Sequence, residues 1–244
     1  MIKYSAKSRW KLLNIQYKKS WSSLSSLMMS QREMAFINRF LHGHKPTKIL
    51  DIGIGTGRIL ENLVLNSQKN AEIYGIDYID EMISYCKKKF KKNAKIKELT
   101  VCDISEENLN TGDKFDFITA IRVLQYNRNW KEILRKVYSK LDDGGFFIFS
   151  LPNYDSITRF VPSYVLSDKI TMNKLRHILK EIGFEVIEIR SVTKIPDFFY
   201  QRLFSNNLLY AKLLILLEEL LELVLGKSFL GRILFVAVLK NVHE

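Results

Sequence analysis

At 244 residues, 47% of them hydrophobic, the chain can bury one sizeable core of the doubly wound α/β type with additions. Its two cysteines, Cys86 and Cys102, are too few for a disulfide framework or a zinc site, and both read as buried core thiols. A net charge of +12 suits an anionic partner such as nucleic acid, a membrane surface or a phosphorylated substrate, although runs such as Lys87–Lys92 also fit a solvated helix face.

The chain opens with positive charge, but no uninterrupted apolar segment follows. A secretory leader is therefore not expected, and the cytoplasm is the expected location. Residues 1–45 read as an N-terminal helical cap. Trp10, Leu13, Tyr17, Trp21, Leu24 and Leu27 recur at helical intervals, Ser20, Ser22 and Ser23 suggest a break, and Glu33 to Leu41 forms a second amphipathic stretch. His42 and His44 flank Gly43 with no acidic or sulfur partner nearby, so a polar loop is expected and no metal.

The stretch from Lys48 to Arg58 organises the rest. Ile49, Leu50 and Ile52 form a short apolar run that reads as a buried parallel strand. Gly53, Gly55 and Gly57 alternate behind it, and helical spacing resumes at Arg58. A strand that turns into a helix through glycines brings backbone N–H groups and a positive helix end against a ligand. The spacing differs from the G-x-G-x-x-G of dinucleotide folds, and Asp51 sits inside the strand end.

Glu72–Asp77 reads as the second strand, with Asp77 twenty residues after Gly57 (77 minus 57). A carboxylate at that strand tip suits a ribose diol. Lys97–Asp103 is the third strand and Phe115–Leu124 the fourth. Asn129 is placed to cap a helix from Trp130 to Leu141, which Asp142-Asp-Gly-Gly ends. Phe146–Leu151 is the fifth strand, and Gly183 stops a helix that starts at Thr171, with His177 on its surface. Phe184–Arg190 and Ile233–Lys240 are the last two strands.

The order of these motifs resembles the class I S-adenosylmethionine (SAM) methyltransferases. Asp51-x-Gly-x-Gly-x-Gly matches their first motif. The acids ending the second and third strands, the Phe-Asp pair opening the fourth and Leu-x-x-Gly-Gly before the fifth follow in sequence. The resemblance implies a seven-stranded doubly wound sheet, mostly parallel with an antiparallel last strand, with helices on both faces. It also implies SAM as cofactor and S-adenosylhomocysteine as product.

Carried over by motif, the cofactor residues are Asp51, Gly53, Gly55, Gly57, Arg58, Asp77, Tyr78, Met82, Asp103, Ile104, Ala120 and Ile121. Tyr78, Ile79 and Met82 would pack on adenine, Asp103 and Ile104 would meet its polar edge, and Ala120 to Arg122 would face the methionine part. Domain bounds follow: a cap over 1–45, a SAM-binding core over 46–196, an apolar helical insertion over 197–230, and the last strand within 231–244.

Methyl transfer from a sulfonium needs alignment more than a base, so no obligatory catalytic residue can be read off. Tyr17, Arg122, Tyr126 and Tyr154 are the substrate-side candidates. Leu151-Pro-Asn-Tyr154 is similar to the motif of amino-methylating DNA enzymes, but it follows the wrong strand and lacks the second proline. A small-molecule, lipid-like or sugar-linked acceptor is therefore the leading expectation. A tRNA or rRNA methyltransferase and a non-catalytic interaction module are the alternatives. The insertion's Leu208–Leu225 carries Lys212, Glu218, Glu219 and Glu222, which oppose a lipid-spanning helix. Its apolar face suits the core, a homodimer, or a lipid-like substrate or peripheral membrane contact.

Overall fold

The computed structural model describes residues 23–107, 109, 114–156, 169–196, 199–200, 206–227 and 230–241. Seven strands form one sheet in the order β3-β2-β1-β4-β5-β7-β6. They are β1 (Lys48–Ile52), β2 (Glu72–Asp77), β3 (Ile96–Val101), β4 (Phe115–Ala120), β5 (Leu141–Pro152), β6 (Phe184–Val192) and β7 (Ile233–Lys240). β1 to β5 run parallel, and β7 is antiparallel to both of its neighbours. Strand order reverses between β1 and β4, where a doubly wound sheet opens a crevice at its carboxyl edge.

Two apolar layers cover the sheet because successive strand residues point to opposite faces. Leu50, Ile118 and Phe147 meet Trp130, Ile133 and Leu134 of α4 (Trp130–Lys140) and Leu175 and Leu179 of α5 (Met172–Ile182). Ile49, Phe117 and Phe235 meet the other set: α1 (Leu24–His44) through Phe36 and Ile37, α2 (Arg58–Asn66) through Leu60 and Leu63, and α3 (Asp80–Lys89) through Ile83. Leu214 of α6 (Leu208–Leu225) joins this second layer. Asp116 fixes where the sheet begins. Its carboxylate accepts the Thr47 N–H at 2.7 Å and the Lys48 N–H at 2.9 Å, tying the start of β4 to the start of β1.

Several expected boundaries move. α1 is one continuous helix that starts well before Glu33, with Ser23 as its N-cap accepting the Ser26 N–H, so the serine break falls at its start. β3 ends at Val101 and β4 at Ala120, which leaves Asp103 and Arg122 on loops beyond the strand tips. β5 starts at Leu141 because the Asp142-Asp-Gly-Gly run, with Gly144 at φ +77°, makes an irregular pairing with β4 in place of a separate turn. Asn129 occupies the cap position of α4, but its side chain makes no capping bond. Thr171 does cap α5, and Gly183 at φ +108° ends it. Cys86 is buried as expected. Cys102 is only half-buried, because β3 has ended before it.

Candidate cofactor and substrate cleft

The carboxyl edges of β1, β2 and β4 open on one cavity of about 340 Å³. Ile52, Gly53, Gly55, Asp77 and Ile121 form one side of its lining, and Tyr78, Met82, Asp103 and Ile104 another. Of the cofactor residues expected from sequence, Gly53, Gly55, Asp77, Tyr78, Met82, Asp103, Ile104 and Ile121 line this space. Asp51, Gly57, Arg58 and Ala120 do not. Of the substrate-side candidates, Arg122 and Tyr126 line it. Tyr154 is exposed elsewhere, and Tyr17 lies outside the described residues.

The glycine turn works differently from the expectation that its N–H groups would meet the ligand. Gly53 N–H donates to Ile76 O at 2.7 Å, Gly55 N–H to the Asp77 carboxylate at 2.8 Å, and Gly57 N–H to Ile54 O at 2.8 Å. All three donors are satisfied within the protein. The glycines instead allow a left-handed path, with φ of +72°, +51° and +79°. A Cβ on Gly53 would stand 2.4 Å from a Val123 methyl carbon, so the turn also lets the loop after β4 pack close.

Asp77 therefore shapes the turn as well as facing the cavity. Its two oxygens accept the Gly55 and Ile79 N–H groups, the latter at 2.9 Å. Burial raises its carboxyl above the usual range, and the bonds from the backbone of Gly55, Ile79 and Tyr78 pull it partly back. Asp51 sits behind it, 1% exposed, and accepts the Thr119 hydroxyl at 2.7 Å. Burial pushes the Asp51 carboxyl up to about 7. The Thr119 bond and the Arg58 charge resist that rise, and the Asp77 charge adds to it. On the opposite wall Asp103 accepts the Ser105 N–H and hydroxyl, and Lys136 Nζ holds the following loop through Ile104 O and Glu107 O, each at 2.9 Å.

The second wall after β4 is built on Arg122, a non-glycine residue at φ +60°. Such a conformation persists only where neighbours over-determine it. The Arg122 N–H donates to Ser150 Oγ at 2.7 Å, and its guanidinium donates to Glu33 at 2.5 Å. Glu33 is fully buried on α1 and also pairs with Arg58 at 2.8 Å, while Arg58 donates to Ser30 Oγ at 2.6 Å. Arg58 thus turns toward α1. Burial opposes ionisation of Glu33, yet the two guanidiniums hold its carboxyl below the ordinary value. Sequence reading missed this acid. The available signal was a charge at an apolar-face position, four after Met29 and three and four before Phe36 and Ile37.

Asn153 of the Leu-Pro-Asn-Tyr stretch is a structural residue. It is buried and donates through Nδ2 to Gly231 O at 2.8 Å, tying β5 to the chain entering β7.

An open, mostly parallel sheet with acids at or just beyond neighbouring strand tips and an apolar slot between them defines a nucleoside-binding doubly wound protein. Sequence comparison narrows that class: the family model described as a methyltransferase domain matches residues 43–197, more than half of the chain. The chain belongs to the class I SAM-dependent methyltransferases, and SAM is its cofactor.

Among curated proteins it is similar to malonyl-acyl-carrier-protein O-methyltransferase of Bacillus cereus, 25% identical over 151 residues that cover 62% of this chain and 51% of that protein. The Bacillus anthracis protein of the same name is 28% identical over 137 residues, 56% of this chain and 45% of its own length. The chain thus spans about half the length of the curated relatives it matches.

Among solved structures it is similar to magnesium protoporphyrin IX methyltransferase from Synechocystis PCC 6803 with bound SAM, at TM-score 0.63 and 13% identity over 99% of this chain and 100% of that one. It is also similar to the N-methyltransferase NodS from Bradyrhizobium japonicum WM9 in complex with S-adenosylhomocysteine. That likeness has TM-score 0.60 and 13% identity over 90% and 89% of the two chains. At these identities the likeness establishes the fold.

The cleft fits the cofactor chemically. Two carboxylates stand ready for hydroxyl and amino donors, and Ile79, Met82 and Ile104 offer an apolar slot for a flat ring. Tyr78, which lines the cavity, has a buried hydroxyl with no hydrogen-bond partner among the described residues. A polar ligand would complete it.

Proposed function

We propose that this chain methylates a small-molecule, lipid-like or sugar-linked acceptor that enters the cleft on the side of Arg122, Tyr126 and Asn127. The observation that carries this reading is the mixed lining of one cavity. Asp77, Asp103 and Met82 suit adenosine, and Arg122, Tyr126 and Asn127 would face an acceptor. Asp77 would hold the ribose, and Asp103 and the Ile104 N–H the edge of the adenine. Gly53, Gly55 and Ile121 would flank the methionine part. The bound cofactor supplies a methyl on a sulfonium, which leaves as a neutral thioether once an acceptor lone pair takes the methyl carbon.

The chain's own work is then alignment and exclusion of water. Tyr78 is not a base for this reaction: burial, and then the charges of Asp77 and Asp103, push its phenol further above its ordinary value, so it stays protonated. An acceptor already deprotonated in solution, such as a carboxylate, would need no base at all. The likeness to malonyl-acyl-carrier-protein O-methyltransferases makes free and carrier-linked carboxylates the first acceptors to try.

The test is incubation with methyl-labelled SAM and fractionated extract, followed by partition into organic, aqueous small-molecule and RNA fractions. Label in either small-molecule fraction supports the reading. Label confined to RNA would overturn it in favour of a nucleic-acid acceptor.

A further inference from the structure

The helix α6 turns two glutamates, Glu218 and Glu222, inward and most of its leucines outward. Glu218, 1% exposed, accepts the Ile195 N–H at 2.8 Å, the Lys194 N–H at 3.1 Å and the Tyr200 hydroxyl at 2.7 Å. Glu222 accepts from Arg32 and from Arg190, each at 2.6 Å. These anchors fix the rotation of the helix. At about 100° per residue, Leu209, Leu213, Leu216, Leu220, Leu223 and Val224 then fall within one outward arc roughly 100° wide. All six are exposed, Leu209, Leu223 and Val224 by 78%, 82% and 79%. The arc runs the length of an 18-residue helix, about 27 Å.

Contiguous exposed apolar surface of this extent marks an interaction site. We propose that it docks on an anionic lipid surface. Charge selects that occupant. The chain carries +12, and the exposed Lys212 and Lys227 lie beside and just beyond the arc, while Glu219 at its margin pairs with Arg32 at 3.7 Å. A second copy of the chain would bring like charge to this surface, whereas an anionic bilayer would neutralise it. No helix among the described residues is long and apolar enough to cross a membrane, which makes the contact a peripheral one.

The docking has a direction. Pro152 of β5 and Val192 of β6 both pair with Ile233 of β7, so α6 leaves and rejoins the sheet at the edge where the cofactor cavity opens. Seating α6 in the interfacial region brings that edge to the lipid.

Co-sedimentation of the full chain with vesicles tests the proposal, using phosphatidylcholine alone and phosphatidylcholine mixed with phosphatidylglycerol. The native chain should sediment with the mixed vesicles and more weakly with the neutral ones. The pair Leu216→Glu and Leu220→Glu should lower vesicle affinity about tenfold or more while leaving circular dichroism and S-adenosylhomocysteine binding unchanged. If the double variant misfolds, Leu223→Gln with Leu209→Gln supplies the same comparison. Failure of the native chain to bind mixed vesicles, or equal binding by the folded variants, would overturn it. A dimer that the same substitutions dissociate, with no vesicle binding, would overturn it in favour of self-association.

Discussion

The cleft beyond β1 and β2 and the inward faces of α1 and α6 both bury carboxylates, and they do so with opposite results. In the cleft, burial wins: Asp51 and Asp77 are held above their ordinary range, with hydrogen bonds offsetting only part of the cost. In the helical pair, burial also opposes ionisation, but arginines outweigh it. Arg122 and Arg58 pull Glu33 down, and Arg190 and Arg32 pull Glu222 down. Carboxylates thus stand without an ion pair beside the cavity and between two guanidiniums on the inward faces of α1 and α6. A buried carboxylate without an ion pair marks a binding site better than a buried carboxylate as such.

The largest effect should come from undoing a clamp. Glu33→Ala leaves two guanidiniums without their shared carboxylate and should cost about 3 kcal/mol in denaturant unfolding. Its signature is a loss shared by α1 and the loop after β4. A cost near that of an ordinary surface substitution would show that Arg58 and Arg122 find water instead, and the contrast between the two regions would weaken.

Asp51 gives the opposite sign. Its folded pKa is raised from 3.8 to about 7, so its contribution to stability is intact below about pH 4 and lost as pH rises through 7. Asp51→Asn avoids that loss. Without cofactor, its stability advantage over the native chain should shrink by roughly 2–3 kcal/mol between about pH 8 and about pH 5. A pH-independent difference would mean that Asp51 stays ionised throughout. The smallest effect belongs to the outward face of α6, where Leu223→Gln should change unfolding free energy by less than about 0.5 kcal/mol. A large loss there would mean that the leucine is covered in solution.

The same division explains what could be read from the sequence. The cleft was legible because its parts are local and ordered: a glycine turn needs glycines, and a strand-tip acid follows an apolar strand. Asp77 could therefore be placed at a strand tip from spacing, and the resemblance to SAM methyltransferases brought Asp103 and Met82 to the same site. The bonds that occupy the glycine N–H groups could not be read that way, since they depend on how β2 ends beside the turn. Glu33 was illegible because its partners, Arg58 and Arg122, lie far away in the chain and meet it only once α1 packs across the sheet. The orientation of the insertion was illegible for a related reason. Leu208–Leu225 reads as a helix with a wide apolar face, and only Arg32, Arg190 and the loop at Lys194 show that Glu218 and Glu222 face inward.

The central claim is that the cavity beside Asp77 holds the adenosine of the cofactor. Calorimetric titration of S-adenosylhomocysteine into the native chain and into Asp77→Asn tests it most directly, with circular dichroism confirming that both are folded. The native chain should bind, and the variant, which keeps one acceptor oxygen for the turn but loses the charge, should bind about a hundredfold more weakly. Equal affinity in the two proteins would contradict the account.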